Sequence, residues 1–194
     1  SGLALIRGLT RLENLELSHT AITDGGMADL KGMTELQYLG LSSTEISDAG
    51  LVSLKWMTRL RSLNLDNTPV SGSGLRNVGG ATKLRTLWLQ KARVTDAGMA
   101  GLASLTELDE LRLGNTEITD VGLANVRAMK ALKILDLTAT KITDAGLKHV
   151  KGLVALERLC LNNTEIGDAG VIHIEELVNL KDLFLSETRI TDIA

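Results

Sequence analysis

The strongest constraint on this 194-residue chain is a period of 24 residues. Leu12, Leu36, Leu60, Leu84, Leu108, Leu132, Leu156 and Leu180 follow one another at that interval without an insertion. Three residues after each comes a second leucine, Leu15 to Leu183, and two further on a third, Leu17 to Leu185. A threonine column follows (Thr20, Thr44, Thr68, Thr116, Thr140, Thr164, Thr188), broken only by Ala92. Next come isoleucine or valine, then aspartate from Asp24 to Asp192 with Gly72 as the exception, then glycine and an apolar trio at spacing three. Gly2, Leu3, Ile6 and Leu9 fit the second half of a preceding unit. Periodicity of this length marks a repeat architecture.

Each half of the unit has its own physical reading. The alternation Leu-x-Leu has the period of a strand with one buried face. The spacing of three after Asp-x-Gly places apolar residues on one face of a short helical turn. Aspartate before that turn is expected to cap it, because a carboxylate accepts from free amides and suits the positive helix end. A strand–turn–helix unit cannot bury its apolar face alone, so neighbours must stack into a solenoid. Strands space about 4.8 Å apart and helices roughly 10 Å, so the stack bends with a parallel sheet on its inner side. The threonine hydroxyls are expected to satisfy turn backbone groups of their own or an adjoining unit.

The unit Leu-x-x-Leu-x-Leu-x-x-Thr-x-Ile-Thr-Asp-x-Gly-Leu-x-x-Leu-x-x-Leu resembles the leucine-rich repeat family over the whole chain. Its Thr-Asp-x-Gly-Leu half is most similar to the cysteine-containing, F-box-associated type and its bacterial relatives, with threonine where those carry cysteine or asparagine. The resemblance implies an α/β fold: a curved horseshoe with a short parallel β-sheet on the concave face and short helices on the convex face. It covers residues 1–194 as one domain, expected to belong to a longer protein.

Three residues per strand remain free to face the concave side. The first column runs Asn14, Tyr38, Ser62, Thr86, Glu110, Ile134, Arg158, Asp182, and the second Glu16, Gly40, Asn64, Trp88, Arg112, Asp136, Cys160, Phe184. The third runs Ser18, Ser42, Asp66, Gln90, Gly114, Thr138, Asn162, Ser186. These columns hardly repeat, although the framework around them hardly varies. Tyr38, Trp88 and Phe184 are three of only four aromatic residues, in columns holding about an eighth of the chain. Chance would place three of four there about once in a hundred. Exposed aromatics and arginines anchor interfaces, so the expected partner-binding set is Tyr38, Trp88, Arg112, Ile134, Asp136, Arg158, Cys160 and Phe184. Cross-strand pairing in solvent is the competing account of the charges.

Other chemistries find little support. The net charge of −3, with both signs interspersed, argues against nucleic acid. No apolar run approaches the roughly 20 residues of a membrane span. A single cysteine excludes an internal disulfide. No signal peptide or lipidation motif opens this segment, which inclines the expectation toward a cytoplasmic setting without fixing one. His149 and His173 share a convex column and read as solvated helix surface, and His19 stands apart, so neither a metal site nor a cofactor is expected. Cys160 lacks a nearby base to act as a nucleophile. Trp56 reads as cover over the convex rim. The turn Pro69–Gly72 and Ala92 read as local variation. Asn162-Asn163-Thr164 matches a glycosylation sequon, relevant only to a secreted eukaryotic protein.

The resulting expectation is a non-enzymatic recognition module that binds a macromolecule, above all a protein, on its concave sheet. The alternative implied by the family resemblance is the specificity arm of a larger enzyme, a ubiquitin-ligase subunit or bacterial effector, with its catalytic or adaptor domain elsewhere. A structural array without a dedicated ligand would call for more uniform columns. Because the segment opens in a half-unit and stops at Asp192-Ile193-Ala194, with Leu5 apolar in a polar column, it is expected either to continue at both ends or to associate end to end.

Overall fold

Every leucine triplet becomes a strand of three residues: β1 (Asn14–Glu16), β2 (Tyr38–Gly40), β3 (Ser62–Asn64), β4 (Thr86–Trp88), β5 (Glu110–Arg112), β6 (Ile134–Asp136), β7 (Arg158–Cys160) and β8 (Asp182–Phe184). These belong to a computed structural model that describes residues 2–192. The strands form one parallel sheet in the order β1 to β8, each paired to the next at an offset of one full repeat. The opposite side carries single helical turns. They are α1 (Asp24–Met27), α2 (Leu75–Val78), α3 (Asp96–Met99), α4 (Asp120–Leu123), α5 (Asp144–Leu147) and α6 (Asp168–Val171), several continuing as 3₁₀ turns. The architecture is the leucine-rich horseshoe, with the sheet concave and the helical turns convex.

Its core is a continuous aliphatic seam between the two layers. The three leucines of each of the six inner strand units, such as Leu132, Leu135 and Leu137, are fully buried. So are the Ile/Val column from Ile46 to Ile166 and helical residues such as Leu123 and Val150. Near the two ends, Leu15, Leu17, Leu180 and Leu185 are only partly covered, and Leu5 stands 89% exposed. The expected helix start at Asp192-Ile193-Ala194 falls, for Ile193 and Ala194, outside the described residues.

The aspartates do not cap their helices. Thr23, Thr95, Thr119, Thr143 and Gly167 occupy the cap positions, and the aspartate is the first helical residue. Its carboxylate instead reaches the next unit. Asp120 accepts from the Thr143 backbone N–H at 2.9 Å and from the Thr143 hydroxyl at 2.7 Å. The same bridge joins Asp24 to Ser47, Asp48 to Ser71, Asp96 to Thr119 and Asp168 to Thr191, and Asp144 takes the Gly167 N–H. The acceptor lies 23 residues before its donor, and that offset turns a local capping signal into the ladder that ties units together. It also explains the glycine column. A Cβ on Gly50 or Gly74 would sit 2.5 Å from an oxygen of Asp24 or Asp48. Where Gly72 replaces aspartate, a Cβ would lie 2.8 Å from the Gly98 backbone nitrogen, so two glycines let the backbones approach directly.

The threonines act within their own units. Each hydroxyl, from Thr20 to Thr188, donates to the carbonyl of the third leucine three residues earlier, at 2.6–2.7 Å. The residue before this column is left-handed in all eight units, preceding seven threonines and Ala92, with φ of 52–59° at His19, Ser43, Asn67, Lys91, Asn115, Ala139, Asn163 and Glu187. That conformation turns its N–H toward the next unit, as when Ala139 donates to Asn162 O at 2.8 Å. At Ala92 the missing hydroxyl is replaced by the backbone itself, since the Ala92 N–H donates to Leu89 O at 3.1 Å. The turn therefore has a fallback. Thr140→Val should lower stability by about 1 kcal/mol, the low end of the cost of removing a buried hydrogen bond, and a denaturant titration would measure it.

His149 departs from the surface reading. It is 9% exposed, and its Nδ1 has no hydrogen-bond partner. Burial, together with the nearby Arg127 and Lys148 charges, holds its pKa below the usual histidine range against the opposing pull of Asp120. Protonation thus favours the unfolded chain: the stability this residue contributes is complete above its unfolded value and is lost as pH falls through the lower folded one. Melting midpoints should fall as pH drops below the free-histidine value of 6.5 toward the lower folded one. His149→Gln should flatten that part of the profile.

Candidate concave interface

The register of the sheet decides which free residues meet. Trp88, Arg112, Asp136, Cys160 and Phe184 are successive register partners, so they form one row across β4 to β8. Ile134 and Arg158 belong to the neighbouring row, between Glu110 and Asp182. Tyr38 lies in that second row too, but on β2, about 10 Å from the strand of Trp88.

Trp88 is half-buried and held from two sides. Its indole Nε1 donates to Glu110 Oε1 at 3.0 Å, and the Arg112 guanidinium lies 5.4 Å from the ring centroid. Glu110 also accepts from Arg112 Nε, closing a three-residue cluster between β4 and β5. The ring is thereby held in one orientation by its own neighbours. Phe184, on β8, is 43% exposed beside Leu183 at 40%.

The charged members of the set are engaged. Arg158 places Nε and a terminal nitrogen 2.8 and 2.6 Å from Asp182 Oδ2, and that partner raises its pKa. Asp136 accepts from Gln90 Nε2 at 2.7 Å, a tie spanning two strands, and from the Thr138 N–H at 2.9 Å. The Gln90 backbone N–H in turn donates to Asp66 Oδ1 at 2.7 Å, and burial pushes the Asp66 pKa up. Cys160 is half-buried, and burial followed by the Asp136 charge raises its thiol pKa, which keeps it protonated.

Tyr38 is separated from this row by chemistry as well as distance. Its hydroxyl donates to Glu16, whose carboxylate lies over β2 where Gly40 leaves room. The phenol pKa is pushed up to about 12, first by that hydrogen bond. Sequence reasoning did not single out Glu110 or Gln90 as organisers of the face. The signal was present in the repeat, since Glu110 follows Trp88 by one period less two residues.

On the convex side, Trp56 is 43% exposed, with Lys31 and Lys55 ammonium groups 5.2 and 5.0 Å from its ring. Among the described residues no group of three or more His, Cys, Asp or Glu side chains is placed to hold a metal. None of their helices is long and apolar enough to cross a membrane.

An eight-stranded parallel solenoid with variable side chains on its inner sheet defines the class. The leucine-rich repeat family model matches residues 9–31, 33–55 and 129–149. The 24-residue period runs unbroken between those segments, so the leucine-rich repeat pattern they match continues along the chain. Among solved structures, it is similar to an internalin C2 of Listeria monocytogenes, with TM-score 0.84 and 24% identity over 97% of this chain and 77% of that one. An internalin F of the same organism aligns at 22% identity over 97% and 78% of the two chains, with TM-score 0.37. The first likeness establishes the fold. No curated protein matches the sequence.

Proposed function

We propose that this chain is a non-catalytic recognition module that holds a protein partner against its concave sheet, with the energetic centre between β4 and β8. The observation that carries the reading is the row from Trp88 to Phe184: two large rings at its ends, a pre-oriented indole, and a half-buried thiol between, on a framework that otherwise repeats. The first strand offers only Asn14 and Glu16 beside it, and Glu16 is occupied by Tyr38. Solenoids of this kind use their extended concave surfaces for binding, and aromatic and arginine anchors dominate interface energetics. Arg112, within the row, and Arg158, in the row beside it, contribute polarity with their charges already paired. The test is affinity capture of a partner with the intact solenoid, followed by titration of that partner against parent and Trp88→Ala/Phe184→Ala protein. Loss of affinity in the double variant, with folding intact, supports the reading. Undiminished binding, or loss only with convex-face variants such as Trp56→Ala, contradicts it.

A further inference from the structure

The rim where the chain enters its strands carries a column of charged side chains that alternate in sign over most of its length. Arg85 lies 3.5 Å from Asp109, Lys133 lies 3.7 Å from the same Asp109, and Lys181 lies 2.7 Å from Glu157. Opposite charges on neighbouring strands are the stabilising arrangement. The alternation breaks at one place. Arg61 stands between the neutral Gln37 and the cationic Arg85, and it makes no ion pair among the described residues.

At that break the surface is hollowed. A cleft of about 270 Å³ is lined by Gln37, Thr58, Arg59, Arg61 and Lys83. Arg59 is paired with Glu35. Lys83 is only loosely associated with Glu107, at 3.9 Å, and remains largely solvated. The cleft is thus lined by two cations with spare hydrogen-bonding capacity, Arg61 and Lys83, by the paired Arg59, and by Thr58. Packing does not require this: the positions are exposed, and like charges on adjoining strands cost stability. A guanidinium fork beside an ammonium is matched to a compact anion with several oxygens. The volume is below that of pockets for drug-sized ligands and admits a tetrahedral group with a few attached atoms.

We infer that this cleft is an oxyanion site for a phosphate or sulfate group, built on Arg61 and Lys83 and separate from the concave row. The experiment titrates inorganic phosphate and, separately, inorganic sulfate into the protein at constant ionic strength, with acetate as control, following amide and side-chain NMR shifts. Saturable shifts centred on Arg61 and Lys83 are expected with at least one dianion. Arg61→Gln/Lys83→Gln should bind it at least tenfold more weakly, while Lys181→Gln, on the same rim, should bind like the parent. Without ligand the double variant should melt no lower than the parent, since it removes like charges from one rim, and Lys181→Gln only slightly lower, since its lost pair with Glu157 is exposed. The tighter of the two anions assigns the group as phosphoryl or sulfuryl. Absence of saturation with both anions, or equal binding by parent and double variant, overturns the inference.

Discussion

Asp120→Ala is expected to destabilise the solenoid by about 2–3 kcal/mol, because hydrogen bonds to a charged acceptor are the stronger kind and two depend on this carboxylate. The Thr143 N–H and hydroxyl both lose their acceptor. The Thr143 oxygen also accepts from the Ala145 N–H, so the start of α5 loosens as well. For a chain of this size the melting midpoint should fall by about 4–12 °C. Asp120→Asn keeps a carbonyl oxygen for the backbone donor and should recover part of the loss. Gly146→Ala should act on the same joint from the other side, since its new Cβ would collide with Asp120 Oδ1 and stand 2.9 Å from Ile142 Cγ2. Gly25→Ala is the matched control. Its Cβ would meet only Thr23 Oγ1, at 3.8 Å, and alanine favours the helical turn. If Asp120→Ala and Gly146→Ala melt with the parent, the aspartate ladder does not hold the units together.

Binding should respond as strongly at the concave row. Removing Trp88 or Phe184 is expected to weaken partner affinity by about 2 kcal/mol or more each, roughly thirtyfold, the scale of interface anchors. The two cases differ in the free protein. Phe184 is exposed, so Phe184→Ala should leave the melting midpoint nearly unchanged. Trp88 is half-buried and hydrogen-bonded to Glu110, so its loss also frees Arg112 and Glu110 to move, and a modest stability cost should accompany the affinity loss. Trp88→Phe helps separate these contributions, because it keeps a smaller aromatic ring and removes the donor to Glu110. Calorimetric titration and thermal melts of the three variants measure both. An affinity that survives all of them would place the anchors elsewhere.

How much of this was legible beforehand depends on whether a feature arises within one unit or between units. The strand, the buried leucines and the helical turn are local and periodic, so Leu132, Leu135 and Leu137 could be assigned to the core from spacing alone. The parallel order β1 to β8 follows from the same repetition, because an unbroken 24-residue period leaves each unit one neighbour on either side. The free columns were legible for the same reason, as the positions the framework leaves unspecified.

Contacts reaching across units needed the tertiary structure. Asp120 carries the sequence signature of a helix cap, and only the superposition of one unit on the next shows its carboxylate meeting Thr143 instead. His149 sits in a column of polar residues, yet the packing of adjoining convex turns buries it. The clamp of Glu110 and Arg112 on Trp88, and the tie from Gln90 to Asp136, depend on side-chain reach across strands about 4.8 Å apart. The repeat length thus determined the scaffold, because a local pattern copied at constant spacing admits one way of stacking. The stacking decided the partners of each polar side chain, because those partners lie about one or two repeats away in sequence and within hydrogen-bonding reach in space.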